Sequence, residues 1–164
     1  SGSHPPHLIY NPPPKSYNRG MSYRFTDHTA DYGIEVNAFT AEEAFCDAIR
    51  ALYEILFGAN VKTLFRCGCA GTPEPLKMEE PDMADLLHSW LSWHLDRYVQ
   101  EKRLVSGWRI KVNFRRSRLE GEAYMTDSDK LGLRPETEIK AVTYHNLRAN
   151  VGLERTHLHY IVDV

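Results

Sequence analysis

A change of hydrophobic period at Gly107 constrains this chain more than any other feature. Upstream, apolar residues recur at helical spacing in two segments. Phe45, Ile49, Leu52 and Leu56 form one series; Met83, Leu86, Leu87, Trp90, Leu91, Leu95 and Tyr98 form the other. Recurrence at i, i+3 and i+4 lays a broad apolar stripe along a helix. Both starts are marked. Thr40-Ala41-Glu42-Glu43 is a capping box in which the Thr40 hydroxyl can accept from the Glu43 amide while Glu43 reaches back, and Asp82 can cap the second helix. Gly58 is placed to end the first. Downstream, Ile110, Val112 and Phe114 alternate with Arg109, Lys111 and Asn113, the pattern of a strand with one buried face. A second run, Leu119 to Met125, follows the polar Arg115-Arg116-Ser117-Arg118 and predicts a hairpin. Glu138 to Tyr144 and His157 to Val162 read as two further strands.

Before the first helix, Ser22 to Phe25 is strand-like, and Ile34, Val36 and Ala38 alternate with Glu35 and Asn37. Residues 61–69 read as another strand, and Gly71 to Pro81, with three prolines, as an irregular loop. The expected order is ββαβαββββ, an α+β domain with two helices packed on an antiparallel or mixed sheet. Residues 1–20 read as a flexible proline-rich leader, Ser1-Gly2-Ser3 being a cloning remnant, with residues 21–164 as the domain and Met21 a candidate native start.

A chain of 164 residues can bury one real core. Its formal net charge of −2 supplies no global positive field to hold a phosphate backbone. No apolar run approaches the roughly 20 residues that cross a bilayer, so no membrane role is expected. Three cysteines, Cys46, Cys67 and Cys69, are an odd number and suggest no disulfide framework, consistent with a reducing cytoplasmic home. Cys67 and Cys69, on a strand, would be small buried residues sharing one face rather than a zinc pair. His94 lies at the edge of the second apolar stripe and reads as a satisfied structural histidine, with His88 and Trp93 off that stripe.

No glycine-rich phosphate loop, His-Glu-x-x-His or Gly-x-Ser-x-Gly elbow is present. Acidic and imidazole groups cluster instead at Asp27-His28-Thr29-Ala30-Asp31, at Glu138 to His145, and at His157 to Val164. Strand parity puts Leu158, Tyr160 and Val162 on the core face, and His157, His159, Ile161 and Asp163 on the other. It likewise puts Glu138, Lys140 and Val142 opposite Ile139 and Ala141. Convergent carboxylates repel and recruit a proton or a hard cation. On spacing alone the favoured reading is the plain one, with Asp27 and Asp31 capping a turn and Asp163 a solvated terminal residue. Arg115, Arg116 and Arg118 read either as a phosphate or acidic-partner contact or as a solvated hairpin tip.

The wording of these segments carries more than their spacing. Tyr23-Arg24-Phe25-Thr26-Asp27-His28-Thr29-Ala30-Asp31 resembles the archease signature Y-x-(F/L)-x-D-H-T-A-D, followed as in that family by an alternating strand and a T-x-E-E-A-F helix start at Thr40 to Phe45. Asp85-Leu86-Leu87-His88-Ser89-Trp90-Leu91 is similar to the family's second helix. Thr137-Glu138-Ile139-Lys140-Ala141-Val142-Thr143-Tyr144-His145 is similar to its T-E-(V/I)-K-A-(V/I)-T-Y-H, and Ile161-Val162-Asp163-Val164 to its ending. The likeness covers about residues 22–164. The proline-rich leader and the stretch from Cys67 to Pro81 depart from the family pattern.

Archeases assist an RtcB-type RNA ligase, which uses GTP and divalent metal to join a 3′-phosphate or cyclic-phosphate RNA end to a 5′-hydroxyl end. The resemblance implies a non-enzymatic activator that promotes ligase guanylylation and multiple turnover in tRNA splicing and RNA repair, meeting RNA only through the ligase. It implies a divalent-metal site (calcium, magnesium or manganese) at Asp31 and Asp163, with an oxygen of Val164. His28, Glu138, Lys140 and His145 are the implied ligase contacts or supports of the metal ligands. Two rivals remain: a metal-dependent phosphoesterase or nuclease using the same carboxylates with His28 or His145, and an RNA-binding chaperone working through the Arg115–Arg118 tip.

Overall fold

Thr40 starts the first helix as its sequence dictates. In the computed structural model, which describes residues 23–27 and 31–164 (of Thr26 and Asp27 the backbone alone), the Thr40 hydroxyl accepts the Glu43 N–H at 3.1 Å. The Glu43 carboxylate returns to 3.4 Å from that hydroxyl. Helix α1 runs Ala41–Phe57 and ends at Gly58, whose φ of 65° few other residues adopt readily. The expected leader, the Met21 start and His28 lie outside the described residues.

The described residues form two sheets. Strands β1 (Tyr23–Asp27), β2 (Asp31–Ala38), β6 (Ala141–Val142), β7 (Arg148–Val151) and β8 (Thr156–Asp163) make the first, ordered β1-β2-β8-β6 with β7 also on β8. Strands β3 (Thr72–Glu79), β4 (Arg103–Asn113) and β5 (Arg118–Asp127) make the second, ordered β3-β5-β4, and every pairing is antiparallel. The α+β class stands, but the expected single sheet is two. Helix α1 touches β1, β2 and β8 of one sheet and β4 of the other, and helix α3 (Met83–Glu101) touches both sheets as well. The helices are therefore a middle layer. That is why α1 is buried on nearly every side, from Ala44 through Phe57, rather than along one stripe.

Most polar groups inside this layer are answered, the Arg97 Nε on α3 being an exception. The Trp90 indole donates to the Phe45 carbonyl at 2.8 Å, and the Tyr160 hydroxyl to that of Ala48 at 2.7 Å. The Val105 N–H donates to the Tyr53 hydroxyl at 3.0 Å, and the Tyr23 hydroxyl to Glu54 at 2.6 Å. His94 is the satisfied structural histidine its position suggested: its Nδ1–H donates to the Trp90 carbonyl at 2.7 Å, and Nε2 accepts the Trp108 indole at 2.9 Å. Burial pushes its pKa down to about 3, so the imidazole is neutral.

Three local expectations fail, each for a physical reason. Residues 61–69 are helix α2 (Lys62–Arg66) between short 3-10 turns, because Val61 and Leu64, three apart, both bury completely. Cys67 therefore ends a helix and Cys69 is exposed on a turn, so they are not buried strand residues. The proline-rich loop is β3. It is an edge strand, pairing with β5 alone, so the amides that Pro73 and Pro75 lack can fall on its open side. Finally, 138–144 is not one alternating strand. Ile139 and Val142, three apart, are both buried while Glu138, Lys140 and Ala141 are exposed, leaving only Ala141–Val142 as strand. Gly107, where the sequence period changes, follows a bulge in β4. A Cβ there would stand 2.7 Å from the Gly68 backbone, whose carbonyl accepts the Ser106 hydroxyl at 2.6 Å.

Candidate functional site

The antiparallel register of β2 and β8 sets the site. Tyr32 faces Val162, Ile34 faces Tyr160 and Val36 faces Leu158. Ile34, Val36, Leu158, Tyr160 and Val162 are fully buried, and Tyr32 packs against them, so this is the core face. By parity the intervening pairs project the other way, and the first of them is Asp31 opposite Asp163. Directly opposed residues on one sheet face hold their Cβ atoms about 4.5–5.5 Å apart. The expectation that Asp163 projects away from Leu158, Tyr160 and Val162, beside Asp31, is met.

Two half-buried acidic residues at that spacing put two hard-oxygen donors on one face of the sheet. Local backbone fixes them. Ala141 pairs with Asp163 from the opposite edge of β8, and the Lys140 N–H donates to the Asp163 carbonyl at 2.7 Å. Val164 is half-buried against the core and offers a main-chain oxygen nearby in sequence. The donor set is all hard oxygen, which suits magnesium, calcium or manganese over zinc. Among the described residues no three His, Cys, Asp or Glu side chains converge on one point. A cation here would thus complete its shell with water or with ligands brought by a partner. The backbone of Asp27 lies opposite Tyr32, so the chain does fold back between Asp27 and Asp31.

Further along this sheet face lies a polar row that sequence reasoning missed. Arg24 Nε donates to Glu35 at 2.5 Å, and His157 Nε2 lies 3.2 Å from the same carboxylate. Burial alone would raise the Glu35 carboxyl, but the bonds from Arg24 and His157 outweigh it and hold it below the ordinary value. His159 is buried, its Nδ1–H donating to the Asn146 carbonyl at 2.7 Å. Ile161, on the same face, is also fully buried, so the face that parity set opposite the core is itself covered here. Its alternating charges were visible, but not what covers them.

The remaining candidates separate. Glu138, Lys140 and His145 are exposed. Glu138 and Lys140 line a groove of about 630 Å³ floored by Leu56, Leu95 and Ile139. The Arg115–Arg118 segment is a hairpin tip, as expected. Arg118 is held by Glu79 at 3.0 Å, and the Arg115 guanidinium lies over the Phe114 ring. No described helix is long and apolar enough to cross a membrane.

Comparison with known proteins joins these observations. Residues 23–164 match the model of the Archease protein family (MTH1598/TM1083). The protein archease of Methanopyrus kandleri is 28% identical over 158 residues, covering 88% of this chain and 100% of its own. That of Methanosarcina mazei is 30% identical over 148 residues, covering 85% and 90%. The solution structure of Methanobacterium thermoautotrophicum protein 1598 superposes with a TM-score of 0.66 at 22% identity, over 87% of this chain and 99% of that one. The crystal structure of a Thermotoga maritima protein, described as an archease and possible chaperone, gives 0.53 at 19% identity, over 84% and 93%. With the two acidic motifs paired across β2 and β8 and the family model spanning both, the chain belongs to the archease family.

Proposed function

We propose that this protein is a protein cofactor rather than an enzyme, an activator of an RtcB-type, GTP-dependent RNA ligase in tRNA splicing and RNA repair. In this reading Asp31, Asp163 and a main-chain oxygen of Val164 hold a divalent cation, with Glu138, Lys140 and His145 meeting the ligase and RNA reached only through it. The observation that carries the reading is the direct opposition of Asp31 and Asp163 in a member of this family. The bound cation would supply charge neutralisation for nucleotide phosphates. The protein's own residues do the rest: β2 and β8 fix the two carboxylates at one spacing, and Lys140 and Thr143 tie the neighbouring segment to β8 through the Asp163 and Ile161 carbonyls at 2.7 and 2.9 Å. The chaperone description given to the Thermotoga relative accords with a helper that acts on another protein. The phosphoesterase alternative needs a base beside the pair; of the histidines it would use, His145 is exposed on the turn after Tyr144 and His28 lies outside the described residues.

The test titrates the purified protein into ligase, GTP and divalent metal and follows ligase guanylylation. Wild-type protein should accelerate it catalytically, and Asp31→Ala or Asp163→Ala should abolish the effect. Equal stimulation by both variants would remove the carboxylates from the mechanism. Phosphoester turnover by the isolated protein would favour the enzyme reading.

A further inference from the structure

Tyr144 is the exposed aromatic that the fold goes furthest to hold in place. It is 66% exposed, yet its ring stacks on His88 with centroids 3.9 Å apart and planes within 12°. His88 is itself anchored, its Nε2 lying 2.9 Å from the Val142 carbonyl, which fixes that nitrogen as the donor. The turn beneath Tyr144 is tied twice. The Thr143 hydroxyl donates to the Ile161 carbonyl at 3.1 Å, and the His145 N–H donates to the Thr143 hydroxyl at 3.3 Å. One face of the ring is thus covered by an imidazole and the other is open. The stack on His88 favours one rotamer of a side chain that, unsupported, would sample several.

The chain segment that carries it holds charge of one sign. From Ile139 to Leu153 the chain carries no Asp or Glu, while Lys140, His145 and Arg148 are all exposed. None of these three side chains is drawn into an ion pair among the described residues. Carboxylates do stand nearby: Asp163 lies opposite Ala141, Glu138 is two residues before Lys140, and Asp85 lies a helical turn before His88, while Glu35 is engaged by Arg24 and His157. A chain of net charge −2 has here a local cationic stretch interrupted by an aromatic ring, the combination that binds bases by stacking and phosphates by charge. The segment also adjoins the carboxylate pair. Ala141 lies opposite Asp163, and Tyr144 follows three residues later, at most about 10 Å along the chain.

We propose that Tyr144, backed by His88 and flanked by Lys140, His145 and Arg148, is a stacking platform for the nucleobase of a phosphorylated nucleotide. That chemistry is shared by a free nucleotide and by a single-stranded RNA end, and assignment to RNA would replace the reading in which RNA is met only through the ligase. The assignment rests on the activator reading only for the setting in which such a nucleotide is met; the stacking itself is a property of this chain.

Calorimetric or NMR titration of the isolated protein tests it, with guanosine 5′-monophosphate, a short single-stranded oligoribonucleotide and ribose 5-phosphate as probes. Tyr144→Ala should weaken binding of the base-containing probe roughly 5- to 100-fold, Tyr144→Phe should bind within about twofold of wild type, and ribose 5-phosphate should not distinguish the variants. Stronger binding of the monophosphate assigns the platform to free nucleotide, and stronger base-dependent binding of the oligonucleotide assigns it to RNA. An exposed position leaves the fold intact, which the unchanged melting temperature verifies. The proposal is overturned if neither base-containing probe binds, if Tyr144→Ala binds as wild type does, or if Tyr144→Phe is as weak as Tyr144→Ala. Loss of ligase association in Tyr144→Ala without nucleotide binding would make the residue a protein anchor instead, also against the proposal. Because the ligase is absent from the titration, stacking can fail while activation by Asp31 and Asp163 survives, and the reverse.

Discussion

The layer around His94 and the end of the sheet around Asp163 solve opposite problems. In the first, imidazole, indole and phenol each find a hydrogen-bond partner within the chain. In the second, two carboxylates sit half-buried and face each other across β2 and β8. The contrast separates stability from function. A network that is fully paired within the chain has nothing left to offer a ligand, whereas two acidic residues on one sheet face offer hard oxygen donors to a ligand from outside the chain.

The largest expected effect falls on the core side of this comparison. Trp90→Ala removes a completely buried ring and its bond to Phe45, and should cost about 3–5 kcal/mol in chemical denaturation. Acid comes next. His94 has its folded pKa pushed down from 6.5 to about 3, so the unfolded chain binds more protons between those values. Its contribution is complete above about pH 6.5 and is lost as pH falls, amounting to about 3 kcal/mol between pH 7 and pH 4. Melting followed over that range should show the decline, and His94→Gln should flatten it. Glu35, also lowered, adds a smaller loss at still lower pH, in the same direction.

On the proposed function, the other side of the comparison should respond to cations. Calcium or manganese at a hundredfold excess over its dissociation constant should stabilise wild type by about 2.7 kcal/mol and Asp31→Ala hardly at all. The smallest effect is the most diagnostic of opposition. Without metal, Asp163→Asn should be neutral or stabilising by up to about 1 kcal/mol, because it removes a like-charge pair. Marked destabilisation there would mean that the carboxylate is a structural acceptor.

These predictions depend on features that differed in how legible they were in the sequence. Thr40 and Asp82 announced both long helices, and both cap as written, because a cap needs only residues three apart. The parity of Leu158, Tyr160 and Val162 gave the direction of Asp163, and the family motifs supplied its pairing with Asp31. What local pattern could not carry was partnership. Val61 to Phe65 is too short for period to decide between helix and strand, and a second sheet had to bury it as helix. Pro73 and Pro75 forbid a central strand but permit an edge, and only the tertiary arrangement says that β3 is one. His88 looked like a residue off its helix stripe; its role as a backing for Tyr144 arises from chain 56 residues away.

The most direct measurement of the central claim is paramagnetic broadening by manganese in the amide NMR spectrum of the isolated protein. At substoichiometric metal, the resonances of Asp31, Asp163, Val164 and their β2 and β8 neighbours should vanish first, and Asp31→Asn with Asp163→Asn should abolish the effect. Broadening centred elsewhere, or unchanged in the double variant, would contradict the assignment of this carboxylate pair as the cation site.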